Sequence, residues 1–184
     1  MIVLSGCLNG DIAKAITERR PDDARKLIEW HIERFGKDRF YLEVQDHPTI
    51  KPQQVLNEAV IAYSKEYNVP LVATCDSHYL RPEDAQAQDV LLCVQTGKTV
   101  NEQNRMSMLG EDFSLKSAED VAKAWVQHPE AVDNTMKIAD MCSVDLEFGI
   151  HRLPRYPLPQ GTTPDEELRQ QCINGLKTRY GKEV

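Results

Sequence analysis

No stretch of this 184-residue chain approaches the roughly 20 apolar residues needed to span a bilayer, so a membrane partner is not expected. Met1 runs directly into Ile2-Val3-Leu4 without the basic flank, apolar core and small-residue cleavage site of a secretory signal, which predicts a cytoplasmic protein. Paired cysteines are missing too. The five cysteines (Cys7, Cys75, Cys93, Cys142, Cys172) are odd in number, scattered and without a Cys-x-x-Cys, as expected of free thiols in a reducing compartment rather than a disulfide framework. There is no Gly-x-Ser-x-Gly elbow, P-loop or Gly-x-Gly-x-x-Gly, which removes support for the nucleophilic, nucleotide-triphosphate and dinucleotide readings those motifs carry. An excess of positive charge is also absent. The formal charge of -7 argues against a self-sufficient nucleic-acid binder held by bulk electrostatics, but not against a nuclease site that works through metal ions. The acidity sits in the first 150 residues, since residues 151–184 carry six Lys/Arg against four Asp/Glu.

What is present is ordinary globular material, with 41% hydrophobic and 28% charged residues, enough for one core, or one domain and a short piece of another. Its apolar runs stop in an informative way. Ile2-Val3-Leu4 ends on Ser5-Gly6-Cys7, Phe40 to Val44 ends on Gln45-Asp46-His47, and Leu71 to Thr74 ends on Cys75-Asp76-Ser77-His78. In a parallel sheet the carboxyl ends share one face, so residues far apart in sequence can meet there.

Between these runs the pattern is helical. Asp11 to Arg20 predicts a short helix. Pro21 opens a second, with Ala24, Leu27, Ile28, Ile32 and Phe35 on its buried face and Gly36 as its stop, and a third over about Pro52 to Tyr67 buries Val55, Leu56, Ala59, Val60 and Tyr63. Strand, helices, strand, helix, strand is the order of parallel pairing through right-handed crossovers, whether in an open sheet or in part of a barrel. Three strands cannot close a barrel alone, so an incomplete chain is expected. From Pro82 onward helices dominate: one with a stripe of Ala87, Val90, Leu91 and Val94 stopped by Gly97, one started by Ser117 and Asp120, and one from Pro129 to about Cys142. Cys93, Cys142 and Cys172 lie among apolar residues and are expected to fill core space. Thr96 to Glu111 is a polar loop whose Lys98 and Arg105 either touch phosphate or are simply solvated. His151 to Gly161 holds three prolines and predicts an extended linker, after which Thr163-Pro164-Asp165-Glu166 caps a helix with Leu168, Cys172, Leu176 and Tyr180 on one side.

Asp76 and His78 lie two apart at a strand end, so an extended Asp-x-His aims both side chains the same way, a carboxylate and an imidazole suited to Zn, Mn or Fe. Cys7, in a turn with glycine at Gly6 and Gly10, is either a thiolate ligand that tilts such a site toward Zn or a buried thiol. Asp46 and His47 are either further ligands or an Asx turn before Pro48, and Glu43 is open in the same way. Cys75, on the opposite face from Asp76, is expected to pack. His31 on its apolar stripe, His128 before Pro129 and His151 are read as structural.

Several strings are specific enough to resemble a family. Leu4 to Gly10, Phe40 to His47, Pro70 to Leu80, Asp89 to Thr99, Asn104-Arg105-Met106 and Leu153 to Pro159, in this order, are similar to the bacterial DNA polymerase III alpha subunits. The resemblance runs nearly end to end. It covers the carboxyl-terminal half of the polymerase and histidinol phosphatase (PHP) domain and the approach to the palm. It implies an α/β fold: a partial (β/α)7 PHP-type barrel of parallel strands, then a helical segment and an extended linker to a terminal helix. The implied boundaries are 1–95 for the half barrel, 96–150 for a helical extension, 151–161 for the linker and 162–184 for the start of the palm region.

By the same resemblance, Cys7, Asp76 and His78 occupy metal-ligand positions and the cofactor is Zn or Mn; from their own place at the end of the strand that starts at Phe40, Glu43, Asp46 and His47 are candidates for a shell behind them. Cys75 stands where the family usually has Asn. The opening His-x-His and the palm carboxylates that hold Mg for nucleotide transfer are absent, so no polymerase catalytic residue is assigned and the chain alone should not polymerise DNA. The implied activity of the intact protein is DNA-directed DNA synthesis, joined to a metal-dependent phosphoesterase or 3′–5′ exonuclease site. DNA, deoxynucleotides, the sliding clamp and a proofreading exonuclease are the implied partners. A free-standing PHP phosphatase of small phosphomonoesters and a non-catalytic scaffold that docks an exonuclease are the alternatives.

Overall fold

The computed structural model describes residues 1–181; the last three residues of the expected 162–184 segment lie outside the described residues. Three parallel strands are threaded by helices: β1 (Val3–Leu4), α1 (Asp11–Thr17), α2 (Pro21–Phe35), β2 (Phe40–Gln45), α3 (Lys51–Tyr67) and β3 (Leu71–Thr74). The sheet order is β1-β2-β3, with Val3 opposite Phe40 and Leu42 to Gln45 opposite Leu71 to Thr74. A 3-10 turn (Pro82–Asp84) leads into α4 (Ala85–Thr96), followed by α5 (Ala118–Ala124), α6 (Pro129–Met141) and α7 (Pro164–Tyr180). The chain divides into two compact units, Met1–Ser143 and the stretch from Val144 onward. In the second unit α7 starts on a capping box in which Thr163 and Glu166 bond each other's backbone, and its Leu168, Leu176 and Tyr180 are exposed. Among the described residues no helix is long and apolar enough to cross a membrane.

The expected parallel α/β organisation is observed, and β2 and β3 have the expected bounds. All six residues of β2 are buried, as a central strand covered on both faces requires. Phe40, Leu42 and Val44 pack with Leu71 and Ala73 of β3, Ile12 and Ala15 of α1, Ile28 of α2 and Leu56 and Val60 of α3. The far edge of β3 is closed differently. Buried Asn134 of α6 donates its amide to the Leu71 carbonyl at 2.7 Å, supplying a partner that a further strand would otherwise provide.

Polar residues of β2 tie the strand ends together. Glu43, 9% exposed, accepts the Gly6 N–H (3.1 Å), the Gln45 side-chain amide (3.0 Å) and the Thr74 hydroxyl (2.5 Å), and its own N–H donates to Ser5 Oγ at 2.9 Å. One buried carboxylate thus holds the carboxyl ends of all three strands in register.

Several expectations are corrected. α1 ends at Thr17, where Arg19 turns left-handed (φ 59°) before Pro21. Val55 is exposed while its neighbour Leu56 is buried. In α4 the expected stripe is inverted: Val90, Leu91 and Val94 face outward, and Asp89, Leu92 and Cys93 are buried. The reason is an ion pair. Arg105 forks onto Asp89 with both contacts at 2.7 Å, Ser107 adds a third bond at 2.7 Å, and the two charged side chains are 11% and 7% exposed. Docking Arg105 there turns the polar edge of α4 inward, and it removes Arg105 from the phosphate-contact and solvated-loop readings alike. Lys98 is paired with Glu102 at 3.0 Å. Cys93 is a core residue as expected, but Cys142 and Cys172 are exposed, because Cys142 caps the end of α6 and α7 packs no apolar face.

Two outcomes are expected. Replacing Glu43 by Ala strips partners from the Gly6 N–H and the Thr74 hydroxyl and costs on the order of 3 kcal/mol, and Asn134→Leu costs about 1–3 kcal/mol by orphaning the Leu71 carbonyl; urea denaturation measures both. The Arg105 guanidinium, then Ser107, hold the Asp89 carboxyl below its ordinary value against the opposing effect of burial. A depressed folded-state value means that its stabilisation is complete above the ordinary carboxylate range, near pH 4, and is lost as pH falls through the lower folded value. Asp89→Asn should therefore lower the urea midpoint at pH 7 and flatten its decline below pH 4.

Candidate metal centre at the strand ends

Each candidate side chain follows directly from a strand end. After β1 the Ser5 N–H continues the ladder to the Tyr41 carbonyl (2.9 Å), and Gly6 then takes φ +80°, a conformation open to glycine. The turn closes with the Gly10 N–H on the Cys7 carbonyl at 2.9 Å. A Cβ on Gly10 would lie 2.8 Å from the Ser5 carbonyl oxygen, so only glycine permits this close approach. Cys7 is left half-buried at the tip.

After β2, Asn57 of α3 brackets the Gln45 backbone, accepting its N–H (3.3 Å) and donating to its carbonyl (2.8 Å). Strand alternation then separates the next pair. Asp46 is exposed and lies with Cys75 along a different cavity, whereas His47 turns inward with a side chain only 3% exposed. After β3, Asp76 adopts φ +48°, a left-handed conformation that Asp tolerates better than most residues. The bend brings the His78 Nδ1 to 2.7 Å from the Asp76 carbonyl oxygen. A carbonyl only accepts, so Nδ1 carries the proton, and in the neutral ring the lone pair lies on Nε2.

A cavity of about 880 Å³ is lined by Cys7, Asp76 and His78 together, with Glu111 and Phe113 across from them. A smaller adjoining one of about 160 Å³ shares Cys7, Asp76 and Phe113 and adds His47. The three residues expected to converge thus face one space although about seventy positions separate Cys7 from the other two. His47 Nε2 lies 3.9 Å from Asp76 Oδ2, and His78 Nδ1 lies 4.0 Å from Asp76 Oδ1. Among the described residues no three His, Cys, Asp or Glu side chains form a ready-made cation cage. The donor chemistry nevertheless fits a divalent cation: a thiol, a carboxylate and imidazoles are the ligand types of Zn sites. Both His47 ring nitrogens are buried without a partner, a deficit worth about 1–3 kcal/mol per group. Glu43 is satisfied by its strand-end bonds, and Asp46 points away.

The wall opposite is formed by Glu111 to Leu115, of which only Glu111 falls within the expected polar loop. The His78 N–H donates to the Phe113 carbonyl (2.9 Å), the Leu115 N–H to the Tyr79 carbonyl (3.0 Å), and the Phe113 N–H to the Tyr79 hydroxyl (2.9 Å). Phe113 meets His47 at 4.7 Å and His78 edge-on at 5.5 Å. Glu111 accepts the Thr49 N–H (3.0 Å) and hydroxyl (2.5 Å) across the site. Burial pushes the Glu111 carboxyl up but is outweighed by the bonds from Thr49 and the Asp112 N–H and by the nearby His47, leaving it below its ordinary value. Asp112 is lowered to about 2, chiefly by Lys116. The signal available in sequence was Met106, Met108 and Phe113, apolar side chains in an otherwise polar stretch.

Of the remaining histidines, His31 bonds the Leu27 carbonyl (2.7 Å) and stacks on Phe40, His128 pairs with Glu130 (3.1 Å), and His151 is exposed.

A PHP domain profile matches residues 1–47. Over 182 residues the chain is 40% identical to the DNA polymerase III subunit alpha of Borreliella burgdorferi, covering 98% of this chain and 16% of that protein. The Thermus aquaticus subunit is 37% identical over 188 residues and the Deinococcus radiodurans subunit 36% over 189, again with 98% of this chain covered and 15% and 14% of theirs. The chain therefore spans about a sixth of the length of the curated relatives it matches. Along almost its whole length, then, this chain is homologous to one segment of the DNA polymerase III alpha subunits, with a PHP domain match at its amino-terminal end.

Proposed function

We propose that the chain is a segment of the catalytic alpha subunit of a bacterial replicative polymerase, contributing the second half of a PHP barrel (1–95), its helical extension (96–150), a linker (151–161) and the start of the palm region (162–184). In that protein Cys7, Asp76 and His78 contribute to a divalent-cation site, with Zn or Mn as the ion. The observation that carries this reading is the convergence of these three residues, each just past a parallel strand, on one cavity.

A divalent cation bound there would supply Lewis-acid stabilisation of charge on a phosphoester and lower the pKa of water, the chemistry of phosphoester and 3′–5′ exonucleolytic hydrolysis. The chain's own residues perform the supporting tasks. The Asp76 carbonyl fixes the tautomer of His78 so that Nε2 is free to coordinate. The Glu43 bonds keep the Cys7 turn beside the Asp76 bend, and Phe113 packs on the buried His47 ring and meets His78 edge-on. DNA, deoxynucleotides, the sliding clamp and a proofreading exonuclease are the proposed partners of the whole protein, polymerisation uses Mg held by palm carboxylates outside this chain, and the setting is the cytoplasm. A scaffold that docks the exonuclease without hydrolysis of its own is the second reading, favoured by the lack of a three-donor cage among the described residues.

The test is cation binding followed by hydrolysis. The native chain should bind Zn2+ or Mn2+ in equilibrium dialysis, and Asp76→Ala with His78→Ala should weaken binding by at least about tenfold. No binding would leave the scaffold. Because the partial barrel supplies only part of a ligand set, no hydrolysis of a thymidine nitrophenyl phosphodiester is expected from this chain, and measurable cation-dependent turnover would show that the segment is catalytically self-sufficient.

A further inference from the structure

Among the described residues His47 alone has buried side-chain nitrogen or oxygen atoms with no hydrogen-bond partner, and both of its ring nitrogens are in that state. Other rings in the same unit are provided for: His31 by the Leu27 carbonyl, His78 by the Asp76 carbonyl, His128 by Glu130. A histidine needed only for packing would be expected to have found a similar backbone acceptor or to have been replaced by an apolar ring. Its position is also fixed by its surroundings. It follows the β2 alternation of Glu43 and Gln45 onto the inner side, its ring packs on Phe113 at 4.7 Å, and its side chain is 3% exposed.

The nitrogen Nε2 is 3.9 Å from Asp76 Oδ2, and Cys7 lines the same small cavity. That gap is too long for a hydrogen bond. It is close to the spacing of two donors on one ion: with bonds of about 2.0–2.2 Å, donors at a tetrahedral angle lie roughly 3.4 Å apart and wider angles bring them to about 4 Å. We propose that His47 is itself a ligand of the cation held by Asp76, giving its Nε2 lone pair alongside Cys7 and His78. This rests on the cation-site reading above and adds to it a direct donor from the β2 end, so that all three strands contribute to one centre.

The test uses the whole chain, with nitrogen-labelled histidine and cadmium as the probe ion. The native chain should show cadmium–nitrogen scalar coupling to two histidines, His47 and His78. The variant His47→Phe, which keeps a ring against Phe113, should show one and bind Zn2+ at least about tenfold more weakly. Coupling to His78 alone, or His47→Phe binding Zn2+ as tightly as the native chain, overturns the inference and leaves the cation site standing. Failure of the native chain to bind either ion overturns both. The coupling count is read on the native protein and stands whether or not the variant folds.

Discussion

A single buried carboxylate organises the strand ends. A carboxyl as buried as Glu43 is tolerable only when hydrogen-bond donors surround it, and the donors it gathers come from three separate stretches: the Gly6 amide after β1, the Gln45 side chain at the end of β2 and the Thr74 hydroxyl at the end of β3. Cys7, His47 and Asp76 lie one or two residues beyond those anchors. Their proximity is thus a by-product of satisfying a buried carboxyl one layer below. The arrangement separates two tasks, since Glu43 is saturated by its donors and holds the frame, while the side chains above it remain free for a ligand.

The wall of the cavity depends on an ion pair. Arg105 and Ser107 dock on Asp89 of α4, and the chain between there and Phe113 is thereby held over the strand ends, where Glu111 and Thr49 close the span. This explains why α4 presents its apolar side outward. Helical periodicity alone favours burying Val90, Leu91 and Val94, yet the bidentate Asp89–Arg105 contact fixes the opposite rotation.

The frame of the fold was legible because its punctuation is local. Proline at Pro21, Pro129 and Pro164, glycine at Gly36 and Gly97 and the caps at Ser117 and Thr163 act through a few neighbouring backbone groups, and the β-branched and aromatic run of β2 admits little else. Cys7, Asp76 and His78 were legible as residues following parallel strands, though for Asp76 and His78 the reason differs from the one expected: a left-handed bend, rather than an extended pair, turns both toward the cavity. Asp46 and His47 could not be separated until the pleat of β2 was known. Glu111 and Phe113 were hidden for another reason. Their place depends on pairing with His78 and Tyr79 more than thirty residues earlier, which no local pattern encodes. Cys142 and Cys172 look alike in sequence to buried Cys93, and only the packing of their helices sets them apart.

The outward ridge of α4 has a consequence for how the molecule behaves in a test tube. Val90, Leu91 and Val94 present hydrocarbon to water, and covering it is worth about 25 cal/mol per Å² whatever the ionic strength. Stickiness of that origin weakens on chilling and does not yield to added sodium chloride, unlike attraction between charges. Handling this acidic polypeptide in the cold and at low concentration suits the ridge better than raising the salt.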